Sequence, residues 1–190
     1  MSTKIASRII VIGGSAGSLE VILTILPKLK LQDTVALIII FHRKNTDGSP
    51  LMELLNLKSK FPAKEAEDKE PIIAQNIYVA PPDYHLLIEN NFTFSLDFSE
   101  KVNYSRPSID VTFECVADVY GSNSIAALLS GANNDGSKGM LEIKNAGGVT
   151  LVQDPFSAEV DYMPKSALNL FKPTAVLDTF QLIEYLNNIE

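Results

Sequence analysis

The stretch RIIVIGGSAGS, residues Arg8–Ser18, sets an apolar run against a cluster of small residues near the start of the chain. A run of this length, rich in Ile and Val, is typical of a strand buried on both faces of a parallel sheet. The glycines and serines that follow it predict a tight turn into a helix. The stretch therefore predicts the first half of a βαβ unit.

The same alternation of apolar runs and amphipathic stretches continues along the chain. It predicts a doubly wound α/β fold, with a mostly parallel sheet flanked by helices. Strands are predicted at Arg8–Ile12, Val35–Phe41, Ser124–Leu129, Val149–Val152 and Thr174–Leu177, and helices at about Ser18–Leu29, Pro50–Lys60, Ser108–Tyr120, Gly136–Asn145, Pro164–Leu170 and Phe180–Asn188. Between Phe61 and Glu100, short apolar runs separated by Pro-Pro-Asp and Asn-Asn turns predict an antiparallel hairpin added to the sheet. Because no linker or repeat interrupts the sequence, residues 1–190 are predicted to form one domain.

The composition is that of a globular protein, with 46% hydrophobic and 21% charged residues. No stretch approaches the roughly 20 apolar residues that a membrane helix needs. The net charge of −7 disfavours a nucleic-acid surface, which needs clustered Lys and Arg. The only cysteine, Cys115, cannot form an internal disulfide and is interpreted as a small buried thiol. We expect a cytoplasmic protein with no nucleic-acid partner and no membrane insertion.

The loop after the first strand does not fit the common phosphate-binding patterns. A P-loop needs a lysine after its glycines, and a dinucleotide fold needs G-x-G-x-x-G and an acidic residue near the end of the second strand, where this chain has His42. The loop does match G-x-S-x-G, in which small neighbours expose the hydroxyl of a serine, here Ser15. Five residues are a weak signal, and an ordinary βα turn explains them equally well.

Three polar residues follow predicted strands, so we expect Ser15, His42 and Asp135 at the same edge of the sheet. A serine needs a base to become a nucleophile, and His42 has the better position of the two histidines. His85 lies in the hairpin region, which favours a packing or hydrogen-bonding role. Asp135 can orient the imidazole of His42, although a polar turn that caps the next helix also explains it. Asp154 is a competing acid, but Pro155 beside it favours a turn.

Several longer motifs carry a family resemblance: VIGGSAGS, the His after LIIIF, KEAEDKE, NIYVAPPDYHLL, SRPSIDVTF, LLSGANNDGSKGM, AGGVTLVQD and YMPKSA occur in one order over nearly the whole chain. The sequence resembles the catalytic domain of the CheB family, the chemoreceptor protein-glutamate methylesterases of bacterial chemotaxis. The resemblance implies that Ser15 is the nucleophile, His42 the base and Asp135 the third member of a triad. It also implies an oxyanion hole formed by the N–H groups of Ala16 and Ala132.

The resemblance further implies a serine hydrolase that removes methyl groups from receptor glutamate γ-methyl esters, with release of ammonia from receptor glutamines as a second activity. It implies no metal and no organic cofactor. Arg106 is a candidate contact to the acidic receptor surface, with an exposed structural role as the alternative. A separate receiver or methyltransferase protein is a candidate partner. The competing function is a non-catalytic module that binds a receptor or another signalling partner through the same fold.

The sequence departs from the family pattern at three places. The family usually has Ser-Thr-Gly-Gly where this chain has Ser15-Ala16-Gly17-Ser18, and Gly-Met-Gly-Asn-Asp-Gly where this chain has Gly-Ala-Asn-Asn-Asp-Gly from Gly131 to Gly136. Many members also carry an N-terminal receiver domain, whereas few residues precede Arg8 here. We therefore expect hydrolysis that needs no phosphodonor.

Overall fold

The fold is described by a computed structural model over residues 3–43 and 50–188. Its strands are β1 (Arg8–Gly14), β2 (Val35–Phe41), β3 (Ala63–Glu65), β4 (Ile77–Val79), β5 (His85–Ile88), β6 (Phe94–Asp97), β7 (Ser124–Leu128), β8 (Val149–Gln153) and β9 (Ala175–Leu177). Seven of them form a parallel sheet in the order β3-β4-β2-β1-β7-β8-β9, and β5 pairs with β6 in an antiparallel sheet. The predicted fold class, a doubly wound α/β fold with an antiparallel hairpin, is confirmed.

The described α-helices are α1 (Ser18–Ile25), α2 (Leu51–Lys58), α3 (Ile109–Tyr120), α4 (Ser137–Asn145), α5 (Tyr162–Leu170) and α6 (Thr179–Asn187). Most of them begin and end within one or two residues of the predicted positions. The first helix is shorter than predicted and continues as a 3₁₀ turn over Leu26–Lys28, because Pro27 has no N–H to donate. No helix within residues 3–43 and 50–188 is long and apolar enough to cross a membrane.

The central strands are buried on both faces. In β1, Ile9 and Val11 belong to a core cluster that also contains Phe113 of α3, and Ile10 and Ile12 belong to a second cluster on the other face. The helices α3, α4 and α5 contribute to the first cluster, and α1, α2 and α6 to the second. The continuous apolar runs in the sequence therefore follow from burial between two layers of helices.

The chain reverses direction across the sheet at β1. From β1 it passes to β2 on one side and later returns to pair β7 on the other side. Such a switch point opens a crevice beyond the carboxyl ends of the strands, where ligands of doubly wound folds bind. The described residues that directly follow β1, β2 and β7 border this crevice.

The region between Phe61 and Glu100 is more complex than the predicted addition of a hairpin to the main sheet. Its first half supplies β3 and β4, two short parallel strands that extend the main sheet beyond β2. The hairpin of β5 and β6 is present, but it forms a sheet of its own and packs on α3, where the Thr112 hydroxyl donates to the Leu86 carbonyl at 2.8 Å. Strands of three residues are too short to show a period, so the sequence pattern did not separate them from the hairpin.

Candidate active site

Strand register brings Ser15 and His42 to equivalent positions. Gly14, the last residue of β1, pairs with Phe41, the last residue of β2. Ser15 and His42 directly follow these two strand ends. Neighbouring strands lie about 4.8 Å apart, so the two side chains project from adjacent strand ends. Among the described residues, no hydrogen bond joins the Ser15 hydroxyl to His42, so the expected contact between these two side chains stays a prediction.

The loop that carries Ser15 is held on both sides. The Ser15 N–H donates to the Ser130 carbonyl at 2.9 Å, which extends the pairing of β1 with the chain that leaves β7. The Ser15 carbonyl accepts from the N–H and the hydroxyl of Ser18, at 3.0 and 2.7 Å. Gly17 has φ +79°, and a Cβ at this position would lie 2.6 Å from Glu159 Cβ. Glycine is therefore required here both for the backbone conformation and for the close packing.

The sequence interpretation missed Ser130, which connects three loops around the crevice. Its hydroxyl donates to the Ala16 carbonyl at 2.6 Å and accepts from the Val160 N–H at 2.9 Å. Its own N–H donates to Oε1 of the buried Gln153 at 2.8 Å. A small polar residue directly after a buried strand was the available signal, but its partners come from distant parts of the sequence.

His42 and Asp135 are in direct contact. Nε2 of His42 lies 2.8 Å from Oδ2 of Asp135, whose side chain has no exposed surface, whereas that of His42 is 17% exposed. With the Nε2 proton directed at the carboxylate, Nδ1 is the nitrogen left to accept a proton. The structure thus brings two predicted site residues together across 93 positions of sequence.

The carboxylate of Asp135 is surrounded by donors. Oδ2 also accepts the N–H of Ile109 at 2.8 Å, and Oδ1 accepts the Ser108 hydroxyl at 2.8 Å and the N–H groups of Asp110 and Gly136 at 3.0 and 3.1 Å. Burial by itself raises the pKa of Asp135. The hydrogen bonds from His42, Asp110, Ile109 and Ser108 lower the pKa by more than burial raises it, so it lies below the ordinary value. Asp135 is therefore ionised at neutral pH.

The hydrogen bonds of Asp135 differ from those expected if it capped the helix that follows it. The Asp135 carboxylate caps the start of α3, not that of α4, which follows it in sequence. Asp110 in turn accepts the N–H of Gly139 in α4 at 2.8 Å and the side-chain amide of Asn103 at 3.0 Å. Burial raises the pKa of Asp110, and the charge of Asp135 adds to that rise. A Cβ on Gly139 would lie 2.5 Å from Phe113 Cβ, so the two helices meet closely enough to exchange these contacts only because glycine stands there.

His85 is buried, and both of its ring nitrogens are occupied. Nδ1 accepts the Ser108 N–H at 3.2 Å, and Nε2 lies 3.0 Å from the Glu100 carbonyl, to which it donates. This histidine therefore holds the main chain before α3, and through Ser108 it supports Asp135. It has no nitrogen free to act as a base toward Ser15.

The predicted oxyanion donors lie at the surface of the crevice. Ala16 and Ala132 are exposed, and within the described part of the chain no acceptor takes either N–H. Gly131, beside Ala132, is fixed by two backbone hydrogen bonds, from its N–H to Val160 and from the Met163 N–H to its carbonyl. Two unpaired N–H groups on a fixed backbone are suited to hold a developing negative charge.

Arg106 borders the crevice but is also a structural residue. Its Nη1 donates to the carbonyls of Phe98 and Ser99 at 3.0 and 2.6 Å, and its guanidinium lies 3.9 Å from the centre of the Phe98 ring. Together with His42 it lines a cleft of about 260 Å³. The contacts of Arg106 support the structural interpretation, and its proposed contact with a receptor stays a prediction.

The remaining candidates lie outside this arrangement. Asp154 accepts the Phe156 N–H at 3.0 Å across the predicted turn. Cys115 is half-buried in α3, and burial raises the pKa of its thiol. Within residues 3–43 and 50–188, no group of three His, Cys, Asp or Glu side chains has the arrangement of a metal site.

Comparison with known proteins places the chain in a family. The sequence profile of the CheB methylesterase family matches residues 10–186. The chain belongs to the CheB methylesterase family. A protein of Leptospira interrogans shares 42% identity with it over 186 residues, covering 95% of this chain and 96% of the relative. The crystal structure of the Thermotoga maritima CheB methylesterase catalytic domain matches with a TM-score of 0.89 and 32% identity, over 96% of this chain and 98% of that one.

Other relatives of this CheB-family chain are longer. The protein-glutamate methylesterase/protein-glutamine glutaminase of Escherichia coli strain K12 is 34% identical over 184 residues, which cover 95% of this chain and 52% of the relative. Family membership confirms the resemblance found in the motifs and the prediction of a hydrolase. The roles of individual residues are a separate question, for which the contacts described above are the basis.

Proposed function

We propose that this chain is a serine hydrolase that removes methyl groups from glutamate γ-methyl esters of chemoreceptors, and that it also releases ammonia from receptor glutamines. The observation that carries the proposal is the 2.8 Å contact of His42 with a buried, ionised Asp135 beside the end of the strand that carries Ser15. The E. coli relative carries both activities in its name. We further propose that the chain acts in the cytoplasm as one domain, with a separate receiver or methyltransferase protein as a candidate partner.

In the first half of the reaction, Nδ1 of His42 takes the proton of the Ser15 hydroxyl as the oxygen attacks the ester carbonyl carbon. The carbonyl oxygen becomes negative and accepts hydrogen bonds from the N–H groups of Ala16 and Ala132. The bond to the methoxy group then breaks, and the imidazolium returns the proton to the leaving oxygen. Methanol departs, and a γ-glutamyl ester of Ser15 remains.

In the second half, water attacks the acyl-enzyme while His42 takes a proton from it. The bond to Ser15 breaks, the imidazolium protonates the serine oxygen, and the released glutamic acid side chain loses its remaining proton to solvent and becomes a carboxylate. With a glutamine substrate, ammonia leaves in place of methanol and the second half is unchanged. Asp135 stays ionised throughout, because its hydrogen bonds favour the charged form, and it stabilises the imidazolium in both halves.

The departure at the nucleophile loop is compatible with this proposal. Ser18 stands where the family usually has glycine, and its hydroxyl donates to the Ser15 carbonyl, so it fastens the turn and leaves the Ser15 hydroxyl available. Ala132 replaces a methionine whose side chain is not needed for a backbone N–H. The proposed oxyanion donors are therefore retained.

The test measures methanol release from a methylated receptor fragment by wild type, Ser15→Ala and Ser137→Ala. Ser137 is the matched control, because its hydroxyl is buried and has no hydrogen-bond partner among the described residues. We expect loss of activity in Ser15→Ala, activity near wild type in Ser137→Ala, and covalent labelling of Ser15 in wild type by a serine-directed phosphonate. A well-folded wild-type protein that releases no methanol and is not labelled would favour the partner-binding module.

A further inference from the structure

The cleft that begins at His42 has an unusual charge for this protein. The whole chain carries −7, yet the described charged residues that line the cleft besides His42 are Arg43, Lys101, Arg106 and a single acid, Asp83. An excess of cations in an acidic protein is not a consequence of composition. It indicates a surface that attracts negative groups toward the reacting ester.

Two of the cations are held in place by other contacts. Arg43 is largely buried and pairs with Glu65, and Arg106 is fixed by the Phe98 and Ser99 carbonyls. Each arginine also has a buried Nε–H with no acceptor among the described residues. Both side chains are therefore positioned at the cleft before any ligand binds, with the charge of Arg43 partly balanced by Glu65.

The third cation is not fixed by contacts of this kind. Lys101 is exposed, and no hydrogen bond or ion pair joins its ammonium to a residue that the structure describes. Tyr104 beside it is 98% exposed on a turn in which both Asn103 and Tyr104 have positive φ. An exposed aromatic ring and an exposed ammonium at the rim of a cleft are suited to a peptide that lies across it.

We propose that Arg43, Lys101 and Arg106 form a carboxylate subsite, here called the cationic wall, that binds free acidic side chains next to the esterified glutamate of the substrate. The proposal rests on the proposed function for the identity of the scissile group. The cationic wall favours esters that have acidic residues beside them in the substrate. This preference depends on the residues around the ester and not on the ester group.

Hydrolysis of the ester changes the charge of the substrate that the cationic wall binds. Hydrolysis converts a neutral methyl ester into a carboxylate, so each turnover adds one negative charge to the substrate. On a peptide with two neighbouring esters, the first product supplies a ligand for the cationic wall when the second ester is bound. Hydrolysis of such a peptide is therefore expected to accelerate after the first event.

The test separates binding from catalysis by using the Ser15→Ala variant. Fluorescent peptides carry one glutamate γ-methyl ester flanked by glutamates or by alanines, and their affinities are compared at low and high salt. We expect the acidic peptide to bind about tenfold more tightly at about 0.05 M salt, and the preference to shrink at about 0.5 M, because exposed charges are screened.

Charge variants in the Ser15→Ala background locate the effect. Lys101→Glu is expected to reduce the preference to about twofold or less, and Asp83→Asn, which the positive φ of Asp83 tolerates, is expected to increase it. Lys30→Glu is the matched control, because it makes the same charge change on the loop before β2, at the opposite edge of the sheet. Equal affinity for both peptides, or an equal effect of Lys101→Glu and Lys30→Glu, would overturn the proposal.

The two proposals fail in different ways. If wild type releases methanol equally well from both peptides and Ser15→Ala binds them equally, the methylesterase stands and the cationic wall is wrong. If Ser15→Ala prefers the acidic peptide but wild type releases methanol from neither, the wall stands and the proposed function is wrong.

Discussion

Replacing Asp135 by asparagine changes one atom at the centre of the site. The Oδ1 position meets three donors, from Ser108, Asp110 and Gly136, whereas the Oδ2 position meets two, from Ile109 and His42. The amide nitrogen therefore takes the Oδ2 position, where it opposes fewer donors. Nε2 of His42 must then accept a hydrogen bond, so its proton moves to Nδ1, and Nδ1 can no longer take the Ser15 proton as proposed.

The expected losses follow from these contacts. A wrong tautomer in a Ser-His-Asp hydrolase costs roughly 10⁴-fold in kcat, and we expect a decrease of that order. The buried N–H of Ile109 loses its acceptor, which costs about 1–3 kcal/mol of the free energy of unfolding. A domain with about 5–15 kcal/mol in total remains folded after such a loss.

The assay measures initial rates of methanol release together with urea unfolding curves. Asp154→Asn is the control, because the asparagine oxygen can still accept the Phe156 N–H and the residue lies outside the proposed triad. We expect the control to remain within a factor of about two of wild type in rate. An Asp135→Asn variant that keeps more than a tenth of the wild-type rate would refute the tautomer argument.

Three further predictions concern the same elements. His42→Ala is expected to lower methanol release by roughly 10³-fold or more while the fold is retained. His85→Ala is expected to keep measurable turnover and to lose about 1–3 kcal/mol of the free energy of unfolding, because its two main-chain contacts are removed. Rates and unfolding curves check both variants, and full activity in His42→Ala would contradict the assignment. Gly17→Ala is expected to destabilise the protein by clearly more than the roughly 1–2 kcal/mol expected for Gly147→Ala. Both glycines have positive φ, but only at Gly17 would the added Cβ lie within 3 Å of another atom. Equal shifts of the urea midpoint in the two variants would contradict the close packing at Gly17. The pKa of Asp135 lies below its ordinary value, so the ionised carboxylate stabilises the fold above about pH 4, and this stabilisation is lost as the pH falls further. The difference in free energy of unfolding between wild type and Asp135→Asn is therefore expected to narrow at low pH. A difference that is constant from pH 7 to pH 3 would contradict this.

Most of the fold could be predicted because it depends on local patterns. The apolar runs of β1, β2 and β7 are continuous in the sequence since both faces of the sheet are covered, and the helices are amphipathic because only one face packs. Two parallel strands, β3 and β4, were not separated from the hairpin, because three residues carry too little pattern. The attachment of β5 and β6 to α3 depends on contacts between distant residues.

The candidate site was predicted in part for a related reason. The ends of parallel strands lie at one edge of a sheet, so the sequence alone pointed to Ser15, His42 and Asp135. Ser130 and Asp110 were missed, since each acts through hydrogen bonds to chain segments far away in sequence. The choice of His42 over His85 followed from its position after a predicted strand, but the hydrogen-bond partners of both histidines come only from the folded chain.

The sequence by itself determined the layers, the direction of the strands and the edge at which polar side chains gather, because hydrophobic burial follows the period of each element. Tertiary structure alone decided the charge state and orientation of the site. Asp135 is an ionised carboxylate because the start of α3, brought close by Gly139, donates to it, and His42 presents Nδ1 because Asp135 occupies Nε2. Such effects depend on donors within about 3 Å, and sequence spacing does not determine distances of that size.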